Sequence, residues 1–305
     1  MYSDNNDSLP RDIGFIGLGA MGKPMVMNLA RRLIPGSRLY VHDVVAPAME
    51  EVERLCASDV ILTMLPEGPH VKSVYLDPET GIIASLSSTS TRPFPDKLLI
   101  DSSTIDTATN LHIKERLSTF TTSFYDAPVS GGVIGAMNAT IAFFIGSSAS
   151  DANLPRLTTL LQTMGGKVIS CGGPSLGLAA KLSNNYLSGV ITIACSEAMD
   201  MGMRAGIDAD VLASVFAAGT AQNTICDVFN PVPGVCPKAP SSNGYAGGFR
   251  VQLMKKDFGL AMDMARRVGA RNALGASGLG IYTAASEAED SGKEKLGVTL
   301  SAEHN

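Results

Sequence analysis

The chain has 305 residues, 45% hydrophobic and only 17% charged, which suits a folded protein with substantial cores and excludes a disordered one. A net charge of −5 and an isoelectric point near 5.4 argue against a nucleic-acid partner. No apolar run approaches the roughly 20 residues that a bilayer span needs, so no membrane association is expected. Five scattered cysteines (Cys56, Cys171, Cys195, Cys226 and Cys236) contain no CxxC pair, which argues against a zinc site or disulfide framework and for a reducing compartment.

The chain opens on "MYSDNNDSLPRD", polar and acidic, without the apolar core of a secretory signal or the Arg-rich character of a mitochondrial presequence. Residues 1–11 are expected to be disordered, and the cytoplasm is the compartment this stretch suggests. "DIGFIG" (12–17) then predicts a buried strand, followed by a helix from Ala20 to Leu33 with Pro24 in its first turn, where proline is tolerated. Further strands are predicted at "RLYVHD" (38–43), "DVILTMLP" (59–66), "KLLIDSST" (97–104), "SFYDAPVSG" (123–131), "TIAFFIGS" (140–147) and "KVISCG" (167–172). Helices near 69–76, 106–118 and 151–164 intervene, and this alternation predicts an α/β fold with a parallel sheet.

Past Gly173 the rhythm changes. One long helix is predicted over 178–205, with others at 208–218, 250–268 and 276–288 and no clear strand. The stretch 87–95 reads as a surface loop, and "NPVPGVCPKAPSSNGYAGG" (230–248) is too long for a plain connector. The expected organisation is a Rossmann-type nucleotide-binding domain over 12–174, an all-helical domain over 175–290 and a polar tail over 291–305. One feature is short. Only 15 residues separate Asp43 from Asp59, enough for a single helix, so one edge strand and one helix of the nucleotide-binding domain are expected to be missing.

Gly17, Gly19 and Gly22 form G-x-G-x-x-G, with Ala20 and Met21 inside it, between the first strand and the first helix. Glycines there permit a tight turn and close approach of a pyrophosphate to the helix N-terminus. Asp43 follows Gly22 by 21 residues and ends the second strand, where a carboxylate accepts from the adenosine ribose hydroxyls. An acid at that place, with no arginine after it, repels a 2′-phosphate and favours NAD over NADP. Leu65, Pro66 and Thr104 end the next two strands, on the side where open parallel sheets bind ligands, and are expected to flank the nicotinamide half. Ordinary turn chemistry competes with that reading for each of the three. The four histidines show neither triad nor metal spacing, so neither a histidine base nor a metal is expected.

Five stretches in order, "GFIGLGAMGKPMVMNL", "DSSTID", "DAPVSGG", "GLAAKLSNN" and "GGFRVQLMKKD", resemble the β-hydroxyacid dehydrogenase family, and the likeness covers roughly residues 12–290. "NPVPG" at 230–234 adds to it. The resemblance implies a homodimer or homotetramer acting on a small hydroxyacid. It implies oxidation of 3-hydroxyisobutyrate to methylmalonate semialdehyde with NAD, a step of valine catabolism in the mitochondrial matrix. It puts substrate carboxylate binding on Ser130, Gly131 and Gly132, and the catalytic lysine on Lys181 with Asn185 beside it. It puts Lys256 and Asp257 near the nicotinamide and the substrate.

Those residue types suit the chemistry. Loss of a hydride from a carbinol also requires an acceptor for the hydroxyl proton. A free lysine, with a pKa of about 10.4, is a poor acceptor, but burial and a neighbouring cation both disfavour its charged form. The same amine as a cation stabilises a developing alkoxide, and residue type does not separate the two roles. The serine hydroxyl and glycine N–H groups of "VSGG" converge on a carboxylate without side-chain obstruction. A lysine snorkelling from a helix contact is the plain alternative for Lys181, and a solvated helix face is that for Lys256 and Asp257. Other readings are a glyoxylate or tartronate semialdehyde reductase of the same family, and a non-catalytic nucleotide-binding relative, suggested by the short nucleotide half. After "LGIYTAASEAEDSG" the C-terminus departs from the family's pattern.

Overall fold

The computed structural model describes residues 9–43, 58–88 and 97–288, and these divide between two compact units, Met1–Lys181 and Leu182–Asn305. The short segment 44–57, where a strand and a helix were expected to be missing, lies outside the described residues, as do most of the 87–95 loop and the tail from 291.

The first unit is built on strands β1 (Asp12–Ile16), β2 (Arg38–His42), β3 (Val60–Thr63), β4 (Lys97–Asp101) and β5 (Thr122–Asp126). All pair in parallel, in the order β2-β1-β3-β4-β5. Strands β3 and β4 are buried at every position, the pattern of a sheet covered on both faces. Alternate residues feed the two faces. Ile13, Phe15, Leu62 and Ile100 pack with Met25 and Leu29 of α1 (Gly22–Arg32). Ile61, Leu99 and Phe124 pack on the other face with α2 (Gly68–Leu76), α3 (Ile82–Ser88) and α4 (Thr107–Leu117). Helix α4 starts where the Asp106 carboxylate accepts from the Thr109 N–H, a local N-cap.

The remaining strands do not extend this sheet. β6 (Val129–Ser130), β7 (Ile141–Ile145) and β8 (Gly165–Ser170) form a separate three-stranded sheet, with β6–β7 antiparallel and β7–β8 parallel. The short helix α5 (Gly132–Met137) joins β6 to β7, and α6 (Leu154–Gln162) joins β7 to β8. Antiparallel pairing follows from the brevity of the β6–β7 link, which has no room for a parallel crossover. Just past β7, Gly146 N–H donates to the carbonyl of Asp126 at the end of β5 and joins the two sheets.

Helix α7 (Leu176–Arg204) carries the division between the units. The second unit continues with α8 (Ala209–Ala218), α9 (Thr224–Val228), a 3-10 turn at Pro240–Asn243, α10 (Val251–Arg267) and α11 (Gly275–Glu287), with no strand among its described residues. Tyr186, Phe258 and Tyr282 stack in its core, and the Tyr282 hydroxyl donates to the Gly189 carbonyl. A second cluster holds Cys195, Met199, Leu212 and Cys226, with the Cys195 and Cys226 sulfurs 3.2 Å apart as free thiols. Burial pushes the Cys195 thiol well up. No described helix is long and apolar enough to cross a membrane.

Candidate active site

In the five-stranded order the direction of strand addition reverses between β1 and β3, the switch point at which open α/β sheets bind ligands. The glycine turn lies there, and its three glycines have different reasons to be glycine. Gly17 has φ +99°, and a Cβ on it would stand 2.2 Å from the Met64 carbonyl oxygen at the end of β3. A Cβ on Gly22 would stand 1.8 Å from the Gly17 carbonyl oxygen. Around Gly19 a Cβ would meet nothing within 4 Å, and both Gly19 and Ala20 are exposed. The protein itself therefore does not require glycine at 19. A bare backbone beside open space, with Met21 as N-cap of α1 and no side chain capping that helix, fits close approach by a pyrophosphate.

Asp43 ends the turn's other side. Its Oδ2 accepts from the Leu18 backbone N–H at 2.6 Å, so the acid expected to face a ribose also anchors the glycine turn. The next two strand ends are tied together by a network that sequence reasoning missed. Asp101 is fully buried, and its Oδ1 accepts from Ser103 Oγ at 2.5 Å, Ser103 N–H at 3.1 Å and Thr63 Oγ1 at 2.7 Å. Ser103 Oγ in turn accepts from the Leu65 N–H at 2.8 Å. Because Thr63 gives its proton to Asp101, it accepts from the Tyr75 hydroxyl, 3.1 Å away. Leu65 is buried, Pro66 exposed and Thr104 half-buried along these two turns. Desolvation pushes the Asp101 carboxyl up to about 6, and the neighbouring Asp126 charge adds to it. The signal was a polar run, "DSST", directly after apolar "KLLI".

Ser130 ends β6, and Gly131 and Gly132, with φ +135° and +63°, open α5 on the surface. That stretch is braced from the nucleotide side: buried Asn28 of α1 donates to the carbonyls of Ala136 (2.7 Å) and Met137 (3.1 Å). Lys181 is 7% exposed, within the first unit and on α7. In the second unit, Asn185 donates through Nδ2 to Asp257 Oδ2 at 2.6 Å, and Lys256 Nζ lies 3.2 Å from Asp257 Oδ1. Asn185, Lys256 and Asp257 are thus one bonded group, with Asn185 and Asp257 buried.

The sheet order and the open glycine turn define a Rossmann-type dinucleotide-binding oxidoreductase. Residues 12–173 match the model of the NAD-binding domain of 6-phosphogluconate dehydrogenase, and residues 176–298 match that of the NAD-binding region of NADP-dependent 3-hydroxyisobutyrate dehydrogenase. The chain belongs to the β-hydroxyacid dehydrogenase family, among the 3-hydroxyisobutyrate dehydrogenases. It is similar to the probable mitochondrial 3-hydroxyisobutyrate dehydrogenase of Dictyostelium discoideum, 38% identical over 90% of this chain and 86% of that one. It is 35% identical to an NAD-dependent L-serine dehydrogenase of Pseudomonas aeruginosa, over 89% of this chain and 91% of the relative. A solved Mycobacterium tuberculosis 3-hydroxyisobutyrate dehydrogenase with L-serine superposes with a TM-score of 0.85 at 33% identity, covering 97% of this chain and all of that one. The protein is therefore an enzyme, an oxidoreductase that uses NAD.

Proposed function

We propose that this enzyme oxidises 3-hydroxyisobutyrate to methylmalonate semialdehyde in valine catabolism, with Lys181 as the proton acceptor and alkoxide stabiliser. The observation that carries the reading is a lysine only 7% exposed in the same compact unit as the glycine turn and the Ser130–Gly132 stretch. Lysines are almost never fully buried unless paired; the other buried lysine of this unit, Lys97, opens β4 at the strand end away from Asp101, whereas Lys181 lies on α7.

Gly17, Gly19, Ala20, Met21, Gly22 and Asp43 hold the dinucleotide, with Leu65, Pro66 and Thr104 toward its nicotinamide end. When bound, NAD accepts the hydride that leaves the carbinol carbon. The chain's own residues do the rest. The Ser130 hydroxyl and the Gly131 and Gly132 N–H groups receive the substrate carboxylate. No Cβ at Gly132 would touch protein within 4 Å, which leaves that backbone approachable. Lys181 takes the hydroxyl proton through Nζ and returns it to the alkoxide in the reverse direction. Within the second unit Asp257 fixes Asn185, and Lys256 adds positive charge beside the Asp257 carboxylate.

L-Serine is the second substrate reading, favoured by the name of the Pseudomonas relative and by the ligand of the Mycobacterium structure. A panel of 3-hydroxyisobutyrate, L-serine and glycerate with NAD and with NADP tests both. Highest kcat/KM on 3-hydroxyisobutyrate with NAD supports the first, and highest kcat/KM on L-serine replaces it. The Dictyostelium relative carries the word mitochondrial in its name, and we infer the same compartment here; imaging of the tagged full-length protein tests it. A homodimer or homotetramer is the expected assembly, read by light scattering.

A further inference from the structure

Helix α7 starts on a carboxylate that comes from far away in the chain. Asp126, the last residue of β5, is 2% exposed. Its Oδ1 accepts from the Ser175 N–H at 2.7 Å and its Oδ2 from the Leu178 N–H at 2.8 Å. Such groups at a helix start have no carbonyl partner within the helix, and an anion there is favoured by the helix dipole. The residue locally placed for this task does not perform it: the Ser175 hydroxyl donates instead to the Thr107 carbonyl.

The carboxylate is also held from outside. A Cβ on Gly146 would stand 1.9 Å from Asp126 Oδ1. One on Gly177 would stand 2.8 Å from Oδ2 and 2.2 Å from the Phe144 carbonyl oxygen. The backbone of Asp126 is fixed as well, since Gly146 N–H donates to its carbonyl at 2.8 Å. The contrast with α8 is instructive. There an exposed Asp208, next to the helix, caps it with N–H bonds from Asp210 and Val211. A cap needs no more than that, and burying a carboxylate carries a desolvation cost. Lys181 follows Leu178 by three residues, a spacing that puts both on one helix face, and Ser130 follows Asp126 by four.

We propose that Asp126 is a positioning residue for Lys181: its carboxylate clamps the first turn of α7 to the end of β5 and so fixes the Lys181 amine against the Ser130–Gly132 stretch. The proposal rests on Lys181 being the proton acceptor. The titratable groups that interact with this carboxylate include Asp101, its partner in register on β4, and the Cys171 thiol.

The test is Asp126→Asn in the full chain, read by thermal melting, KM for each substrate and the pH dependence of kcat. An amide keeps one acceptor oxygen and presents an N–H to the other donor, so the clamp is half released and the buried anion is gone. The expected result is a kcat lower by about 10- to 100-fold with KM for NAD unchanged, since small displacements of a reacting group cost that much. The midpoint of the pH–kcat profile is expected to move to lower pH, because an ionised Asp126, though burial pushes its carboxyl up, favours the charged amine and its removal does the reverse. A folded Asp126→Asn enzyme with wild-type kcat and midpoint overturns the proposal. Should that variant not fold, Gly146→Ala presses a methyl against the same carboxylate while keeping its charge, and is read by kcat and KM alone, with unchanged kcat again overturning the proposal. Lys181→Ala separates the two claims. If it retains turnover, the reading of Lys181 fails; if it is inactive while Asp126→Asn is normal, only the role of Asp126 fails.

Discussion

Asn185 Nδ2 donates to Asp257 Oδ2 across 2.6 Å, with both side chains buried, so one helix of the second unit holds a polar side chain of another in a single orientation. Truncating Asp257 to Ala strands the Asn185 amide, at about 1–3 kcal/mol, and releases Lys256. The expected outcome for Asp257→Ala is a melting point lower by a few degrees and a kcat/KM for 3-hydroxyisobutyrate down about 10- to 100-fold. Asp257→Asn, which keeps an acceptor for Asn185, should melt nearer the wild type. Full kcat/KM in Asp257→Ala would remove this group from catalysis.

The glycine turn gives a separable pair of variants. Gly17→Ala forces an L-residue to φ +99° and a methyl against the Met64 carbonyl, so the protein should be destabilised by roughly 2–4 kcal/mol or fail to fold. Gly19→Ala meets no protein atom, so its melting point without cofactor should match the wild type while its Kd for NADH rises about tenfold or more. Fluorescence titration beside thermal melting reads both. Unchanged NADH binding in Gly19→Ala would remove the pyrophosphate from that side of the turn.

Asp43 serves the turn and, on our reading, the ribose. Asp43→Ala deletes the acceptor of the Leu18 N–H, so NAD binding should weaken by about tenfold while the preference over NADP narrows, because the charge that repels a 2′-phosphate is gone. Kd values for NADH and NADPH decide this. Equal losses for the two cofactors would leave Asp43 as a turn anchor without a part in discrimination.

Asp101 makes stability depend on pH with a defined sign. Its folded value of about 6 lies above the ordinary 3.8, so the folded chain binds this proton more tightly than the unfolded chain. Its contribution is therefore most stabilising below pH about 4, falls as pH rises toward about 6, and is constant above that, a total on the order of 3 kcal/mol. Asp101→Asn, which cannot ionise, should flatten this part of the pH profile of unfolding free energy. A slope unchanged by the substitution would assign it to other groups.

Local features of the sequence were legible because their causes are local. The apolar cores "IGFI", "VIL" and "LLI" announce strands buried on both faces, and Gly17 announces a turn whose conformation other residues resist. The family motifs likewise singled out Lys181, Asn185 and Asp257 as site candidates. The short helices α3, α5 and α9 were not anticipated, since five to seven residues carry too little periodicity to stand out. Nor was the separate sheet of β6, β7 and β8, whose apolar runs read like those of the main one.

What the sequence by itself determined is the alternation of the main strands and longer helices and the dinucleotide turn, because each follows from residue type and spacing within a few positions; the candidate chemistry came from the family resemblance. Only the tertiary structure decided that Asp126 would cap α7 from 49 and 52 residues away, that Asn28 would brace α5, and that Asp101 would bind Ser103 to Leu65. Those partners meet because parallel pairing puts the carboxyl ends of successive strands side by side. Buried there, polar groups gain most from partners on neighbouring elements, since water cannot reach them.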